Sequence, residues 1–393
     1  MANDDIPFAK PFTGTEEEDA VIRVLRSGWL TTGIEALNFE KEFAEFLKRP
    51  PLLKTGSLHC LAVNSATSGL HLALEACGIG PGDAVLVPSC TFTATAEVAR
   101  YLGADPVFVD VSPGAFHIDP AALENTLLKL PSGKARAVIP VHYGGLPCDM
   151  EAIMDIARRY GLKVIEDAAH AFPSAIAGTT GDIGVFSFYA TKTITTGEGG
   201  MIVCGDEAIA RRIALMRIHG IDRTIWNRYS DARASWYYEV AEAGYKYNLP
   251  DLLAAIGRVQ LARAWELLRM RETIAAAYDS AFCGNECLLL PPTGSDDARH
   301  LYPLRLNPLH LRISRDEFIQ KLKEAGIGVS VHFIPLHTMP FYKNRYHLTE
   351  EDFPETMKSC RQEISLPIWP GMSNAQVDRV IETVLSISGN FTG

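Results

Sequence analysis

The chain has 393 residues, 47% hydrophobic and 21% charged, with a formal net charge of −10. Such values suit a globular enzyme built as one large domain plus a smaller one, and an acidic chain without a long basic block argues against nucleic acid as the main partner. No apolar run reaches the ~20 residues that span a bilayer, and MANDD at residues 1–5 lacks the basic region and apolar stretch of a secretory signal, so a cytoplasmic protein without a membrane partner is expected.

The predicted elements begin with EEEDAVIRVLR (16–26), an amphipathic helix with acids in its first turn, where the helix dipole favours them; Ser27-Gly28 stops it. A second helix is expected at 37–48. From residue 60 short β-rich runs alternate with helical stretches. The strands are expected at 61–63, 84–88, 106–111, 137–141, 163–167, 184–188 and 200–204, with helices at 67–77, 92–102 and 149–160. That rhythm predicts βαβ units on a mostly parallel sheet. The close spacing of 184–188 and 200–204 breaks it and predicts some antiparallel pairing. GIGPG (78–82) follows a helix and contains Pro81, so it reads as a turn and not a nucleotide loop; Gly197–Gly200 reads as a tight turn into the next strand. Residues 251–281 read as one long helix starting at Asp251. Beyond the loop 291–298, strand-like runs at 301–306 and 328–333 and helices at 314–325 and 374–388 make a smaller α/β unit. The expected division is 1–265, a large domain with an N-terminal helical segment, and 266–393, a small C-terminal domain. The eight cysteines are scattered without a C-x-x-C pair, so free thiols and no metal site are expected.

The chemistry concentrates in KVIEDAAHAFPSAIAGTTGDIGVFSFYATKTITTGEGG (163–200 for the run ending at Gly200). Asp167 stands at the carboxyl end of a buried-type strand, where open α/β sheets place ligands. His170 follows it, and Lys192 lies in a loop between two strands. A carboxylate at a strand end and a lone lysine in such a loop are what a pyridoxal phosphate site needs: the lysine forms a Schiff base, and the carboxylate keeps the pyridine nitrogen protonated so that the ring accepts electrons. Ser65, Ala66 and Thr67 lie between a strand end and a helix, a ready anion site. Ser187 offers a further hydroxyl, and Phe92 a flat face for the ring.

Taken together, EDAAHA, GDIGVFSFYATKTITTGEGG and GYKYNLPDLLAAIGRVQL (244–261) resemble the sugar-nucleotide aminotransferases of the DegT/StrS type, and most closely the branch that aminates UDP-linked 4-keto sugars such as 4-keto-arabinose. The resemblance runs from SGWLTTG (27–33) to SLPIWPGMS (365–373). It implies fold type I of the pyridoxal-phosphate enzymes, a large domain with a mostly parallel mixed sheet flanked by helices plus a smaller C-terminal α/β domain. It also implies a homodimer with shared active sites, pyridoxal 5'-phosphate as cofactor, and L-glutamate and a nucleotide-linked keto sugar as substrates. By position, Lys192 is the Schiff-base lysine, Asp167 the pyridinium partner and His170 the neighbour of the ring hydroxyl. Phe92 stacks on the ring, and Ser65, Ala66, Thr67 and Ser187 hold the phosphate. Relatives reach across the dimer with an Asn in a GYNYRM-like motif; here GYKYNL leaves that contact to Lys246 or Asn248. Trp29, Thr31, Tyr143, His332 and His337 are expected to border the substrate, as are Trp226, Tyr229 and Tyr238 in a loop. Lys192 argues against a sugar 3-dehydratase, which has histidine there. The absence of a dinucleotide fingerprint argues against a dehydrogenase. An aminocyclitol aminotransferase and a non-catalytic regulatory or binding protein on the same fold are the remaining alternatives.

Overall fold

The computed structural model describes residues 5–49, 56–222 and 238–392. Its larger sheet has seven strands: β1 (His59–Val63), β2 (Ala84–Pro88), β3 (Asp105–Val109), β4 (Ala135–Val138), β5 (Lys163–Asp167), β6 (Ile183–Ser187) and β7 (Gly200–Cys204). They lie in the order β1-β7-β6-β5-β4-β2-β3. Strands β3, β2, β4, β5 and β6 are mutually parallel, and β7 runs antiparallel to both β6 and β1. The mostly parallel sheet and the antiparallel exception are therefore as expected from the spacing. Every residue of β2, β6 and β7 is buried, which is why these strands read as unbroken apolar runs and not as alternation: helices cover both faces. Strand order reverses between β2 and β4, and the crevice beyond the carboxyl ends at such a reversal is where open sheets bind ligands.

The helix Ala66–Ala76 buries every residue from Ser68 to Leu74, between the sheet on one side and neighbouring helices on the other. It can approach so closely because of Gly69, where a Cβ would stand 2.7 Å from Val185 Cγ1. The first helix, Thr15–Ser27, ends on Gly28 in the left-handed conformation (φ 75°) as its sequence predicted. The helix Ile34–Lys48 has no capping side chain of its own. Asp251 supplies the cap from far along the chain: its carboxylate accepts from the backbone N–H of Gly33 (2.7 Å), Ala36 (3.0 Å) and Glu35 (3.2 Å).

The smaller sheet is antiparallel, in the order β10-β9-β8, from β8 (Leu288–Leu289), β9 (Tyr302–Leu306) and β10 (Glu363–Leu366). It packs with the helices Ala264–Phe282, Arg315–Glu324 and Asn374–Asn390. The chain crosses between the two cores in two segments. Ile6 joins the core of the small sheet, while Leu336, Tyr342 and Phe353 pack into the core of the large one. No helix among the described residues is long and apolar enough to cross a membrane.

Two expectations from the sequence need correcting. The helix expected over 251–281 is two helices, Asp251–Ala262 and Ala264–Phe282, broken at Arg263 (φ −100°, ψ 4°). No proline or glycine stands there; the N-terminal segment holds the break, with Gln260 Nε2 donating to Phe12 O (2.9 Å) and Arg263 paired with Glu17 (3.5 Å). The strand expected over 328–333 reduces to one bridge between Ser330 and Ser365. A side chain takes the place of a partner strand: the backbone N–H of His332 donates to Glu363 Oε2 (2.9 Å).

The Asp251→Ala variant leaves three helix N–H groups without their acceptor inside a buried contact. It is expected to lose about 1–3 kcal/mol of stability, read as a lowered denaturation midpoint; an unchanged midpoint would show that the cap is dispensable.

Candidate functional site

A cavity of about 440 Å³ opens beyond the carboxyl ends of the central strands, a size within the usual range for small-molecule and cofactor sites. Its wall includes Asp167, His170, Ser187, Lys192, Phe92 and the turn Ser65–Thr67. Residues spread over 128 positions of sequence thus meet around one space.

Alternation along β5 separates two acids. Glu166 turns to one face, where its carboxylate accepts from His142 Nε2 (2.8 Å) and from the backbone N–H of Gly178 (2.8 Å), Thr180 (2.6 Å) and Gly181 (2.6 Å). Because His142 Nδ1 accepts from Cys148 N–H (3.0 Å), that ring carries its proton on Nε2 and the loop after β5 is tied down without needing a charge on the histidine. Asp167 turns to the other face and into the cavity. Its Oδ2 accepts from Thr95 Oγ1 (2.8 Å) and its Oδ1 from Ala169 N–H (3.1 Å). Burial pushes the Asp167 carboxyl above its ordinary range, and those two donors and the charge of Lys192 pull it back. Lys192 follows β6 in a tight loop closed by its own N–H to Tyr189 O (2.9 Å). Burial lowers its amine to about 8, with Asp167 opposing. An amine so placed changes protonation near neutrality, as a proton carrier must.

Gly144 N–H donates to His170 Nδ1 (3.2 Å), so the proton of the neutral ring sits on Nε2. Burial holds this histidine well below its ordinary pKa. The turn before helix Ala66–Ala76 is fixed by Ser65, whose Oγ accepts from Ser68 N–H (3.1 Å). That leaves the first N–H groups of the helix, at Ala66 and Thr67, directed out of its N-terminus as anion donors. Across from them β7 passes at Gly200, where a Cβ would lie 2.9 Å from Ala66 N. Phe92 is 59% exposed although it caps a helix inside the fold, so its ring face is open to a ligand. A phosphate at the helix N-terminus, a flat ring beside Phe92, a carboxylate at Asp167 and an amine at Lys192 fit pyridoxal phosphate.

Other expected residues stand elsewhere. Tyr143 and His337 are buried but do not line the cavity. The Tyr143 hydroxyl donates to His332 O and its ring stacks on Phe116 (4.4 Å); His337 Nδ1 pairs with Ser89 Oγ and its ring stacks on Phe353 (4.3 Å). His332 does line the cavity. Trp29 and Thr31 lie outside it, in a turn docked against Asn248–Asp251: Thr31 O accepts from Asp251 N–H (3.2 Å), and Trp29 Nε1 donates to Thr32 O (3.2 Å). Lys246 and Asn248 are also outside, with Lys246 Nζ 2.5 Å from Asn248 Oδ1. Trp226 and Tyr229 fall outside the described residues, and Tyr238 is half-exposed away from the cavity. The sequence reading missed Thr95, although it stands three residues after Phe92 in a segment already singled out. It also missed His300, whose ring lies 4.5 Å from that of His170 and which no local pattern announces.

Comparison with known proteins gives one consistent result. Residues 11–385 match the DegT/DnrJ/EryC1/StrS aminotransferase family. The spore coat polysaccharide biosynthesis protein SpsC of Bacillus subtilis (strain 168) is 44% identical over 392 residues, covering 98% of this chain and 97% of SpsC. Among solved structures, Spr1654 of Streptococcus pneumoniae in its PLP form is 30% identical with a TM-score of 0.87, covering 98% of this chain and 99% of the Spr1654 chain. Helicobacter pylori PseC, an aminotransferase involved in the biosynthesis of pseudoaminic acid, is 27% identical with a TM-score of 0.88, covering 99% of this chain and 100% of PseC.

Thr95→Val keeps the shape of a buried side chain but removes a donor to Asp167. It is expected to weaken pyridoxal phosphate binding by about tenfold, the scale of one hydrogen bond to a charged group. Titration of the apo-protein by fluorescence measures this, and wild-type affinity would remove Thr95 from the site.

Proposed function

Because the chain belongs to the DegT/DnrJ/EryC1/StrS aminotransferase family, we propose that it moves an amino group from L-glutamate to a nucleotide-linked keto sugar, a UDP-4-keto sugar of the 4-keto-arabinose kind. The fold is type I of the pyridoxal-phosphate enzymes, and the cofactor is pyridoxal 5'-phosphate, the group bound in the matching PLP form of Spr1654. The observation that carries the reading is the meeting of Asp167, Lys192 and the turn Ser65–Thr67 around one cavity. The roles of SpsC in polysaccharide biosynthesis and of PseC in pseudoaminic acid biosynthesis support a sugar as the amino acceptor.

The bound cofactor supplies an electron sink for the carbon that gains or loses its proton beside the amine. The chain supplies everything else. Lys192 holds the cofactor through its amine between turnovers. Once released, Nζ takes the proton from the amine-bearing carbon of L-glutamate, and in the second half of the cycle it delivers one to the sugar carbon. One amine serves both halves because its burial places it near a pKa of 8, able to take and give a proton at neutral pH. Asp167 holds a proton on the ring nitrogen, and His170 donates from Nε2 to the ring oxygen. Phe92 lies against the ring face. Ala66 N–H, Thr67 N–H and Ser187 Oγ hold the phosphate, with Ser65 fixing the turn. Lys246 or Asn248, each outside the cavity of its own subunit, reaches the phosphate of a second copy in a homodimer. Trp29, Thr31 and His332 contact the substrate. The cytoplasm, where nucleotide sugars and L-glutamate meet, is the proposed location.

The test is a screen of amino-sugar nucleotides run in reverse against 2-oxoglutarate, read by loss of the visible band of the bound cofactor. A UDP-4-amino pentose should react; a response only to an amino-inositol would shift the assignment to aminocyclitols. Borohydride treatment of the wild type should fix the cofactor to Lys192, read by peptide mass. Lys192→Ala should abolish turnover, and Asp167→Ala should lose several orders of magnitude or the cofactor itself, on the scale of losing an electrostatic partner of the reacting centre. Wild-type rates in either variant would refute the corresponding role.

A further inference from the structure

Beside the machinery above, a buried acid is wired to the cavity through two side chains. Glu363 and Ser365 sit two apart on β10, face the same way, and are both fully buried. Ser365 Oγ lies within hydrogen-bond distance of Glu363 Oε1 and 2.8 Å from His332 Nδ1. Glu363 Oε2 accepts the backbone N–H of His332 (2.9 Å), and the Tyr143 hydroxyl donates to His332 O, so the histidine is held from both sides of its backbone. Its ring lines the cavity. Its Nδ1 end is tied to Ser365, and Nε2 is left without a hydrogen bond yet is not sealed off from the cavity.

A serine hydroxyl has one proton to give, so the relay has only two arrangements. With Glu363 protonated, the acid donates to Ser365, Ser365 donates to His332 Nδ1, and the ring proton sits on Nε2. With Glu363 ionised, each bond reverses and Nε2 is a bare acceptor. We propose that Glu363 and Ser365 are positioning residues that set the tautomer of His332, and that the protonated relay makes His332 Nε2–H a hydrogen-bond donor to an oxygen of the sugar substrate. That the oxygen belongs to a sugar rests on the proposed function; the coupling of tautomer to Glu363 does not.

The surroundings favour the donor arrangement near neutrality. Burial raises the Glu363 carboxyl to about 8. The cation nearest to it, Arg315, spends Nη1 on the backbone carbonyls of Cys360 (3.1 Å) and Glu363 (3.4 Å) and not on the carboxylate. Of the other ionisable groups facing the relay, Lys192 titrates at about 8 as a free amine and is the group that holds the cofactor in the holoenzyme. The Tyr143 phenol and Cys360 thiol stay neutral, held well above their ordinary values by burial and, for Cys360, first by its contact with Cys90. His170 and His300 are held well below theirs by burial. Burial, reinforced by the charge of Lys192, lowers His332 itself to about 3, so its ring stays neutral and changes only which nitrogen bears the proton.

The experiment uses the holoenzyme labelled with ring-15N histidine, with the His332 signals assigned by their loss in His332→Gln. In the wild type the Nε2–H form should dominate at pH 6.5 and give way to Nδ1–H as the pH rises through about 8. Glu363→Gln, whose amide can donate to Ser365 but cannot ionise, should hold the Nε2–H form throughout. Ser365→Ala should abolish the response to pH, and Ser365→Thr should restore it. In stopped-flow half-reactions, Ser365→Ala should raise KM for the UDP-4-keto sugar about 3- to 10-fold, the worth of one neutral hydrogen bond, and leave the L-glutamate half-reaction unchanged. A wild-type tautomer that does not move with pH, or a Glu363→Gln protein that still switches, overturns the relay. A switching tautomer with unchanged sugar KM overturns its contact with substrate. Failure of every keto-sugar nucleotide to react would count against the proposed substrate alone, because the spectra are read without it.

Discussion

A carboxylate and an amine withdrawn from bulk water line one cavity, and the rest of the molecule is arranged around the cost of keeping them there. An ion moved from water into a protein interior loses several kcal/mol of hydration unless partners replace it. Asp167 regains part of that loss through one donor on each oxygen, from Thr95 and Ala169. Neither donor is free to drift. Thr95 belongs to the helix Thr93–Tyr101 packed on β2, and Ala169 follows directly from β5. The position of a single carboxylate therefore depends on the placement of two strands of the sheet, β5 and β2, and on the helix packed against β2.

The same economy recurs behind the site. Glu166 and Asp167 are neighbours in sequence, but the two-residue period of a strand sends them to opposite faces. One gathers a loop with three backbone N–H groups and a histidine; the other faces the ligand space. A substitution at Glu166 would therefore act on the cavity indirectly, by loosening the chain between β5 and β6 that carries Asp182 and leads into β6, the strand that the Lys192 loop follows. Buried polar networks of this kind are stabilising only when every member is satisfied, and here the carboxylate of Glu166 is met on both oxygens.

Much of the large sheet was legible because its strands are short, apolar and separated by helices with clear starts. β2 and β7 fall where their letters place them, and β5 ends on Asp167 as read. The less legible parts share a physical cause: polar letters in places where only tertiary structure explains them. In β10 the polar residues Glu363 and Ser365 alternate with Ile364 and Leu366, a pattern that suggests one solvated face, yet all four are buried. The run 328–333 looks like a strand, but it forms only one bridge, at Ser330, and the N–H of His332 goes to a side chain. Likewise Asp251 reads as the start of its own helix, and nothing local reveals that it also caps a helix more than two hundred residues earlier. Within the site, Lys192 and Asp167 stand out by type and setting. His300 does not, because it reaches the cavity from the loop leading into β9 of the small sheet, whose placement beside the large one no local pattern encodes.

The beginning of the described chain has a practical bearing on how the protein is handled. Ile6 is 1% exposed within the small core and bridges to Ile327, and Phe8 and Ala9, two and three residues on, already form part of the ligand space. A purification tag or fusion partner joined close to this segment would pull on a core residue and a pocket wall together. The opposite terminus is the safer attachment point, since the final helix ends at Asn390 with its last residues at the surface, and none of its residues lines the cavity.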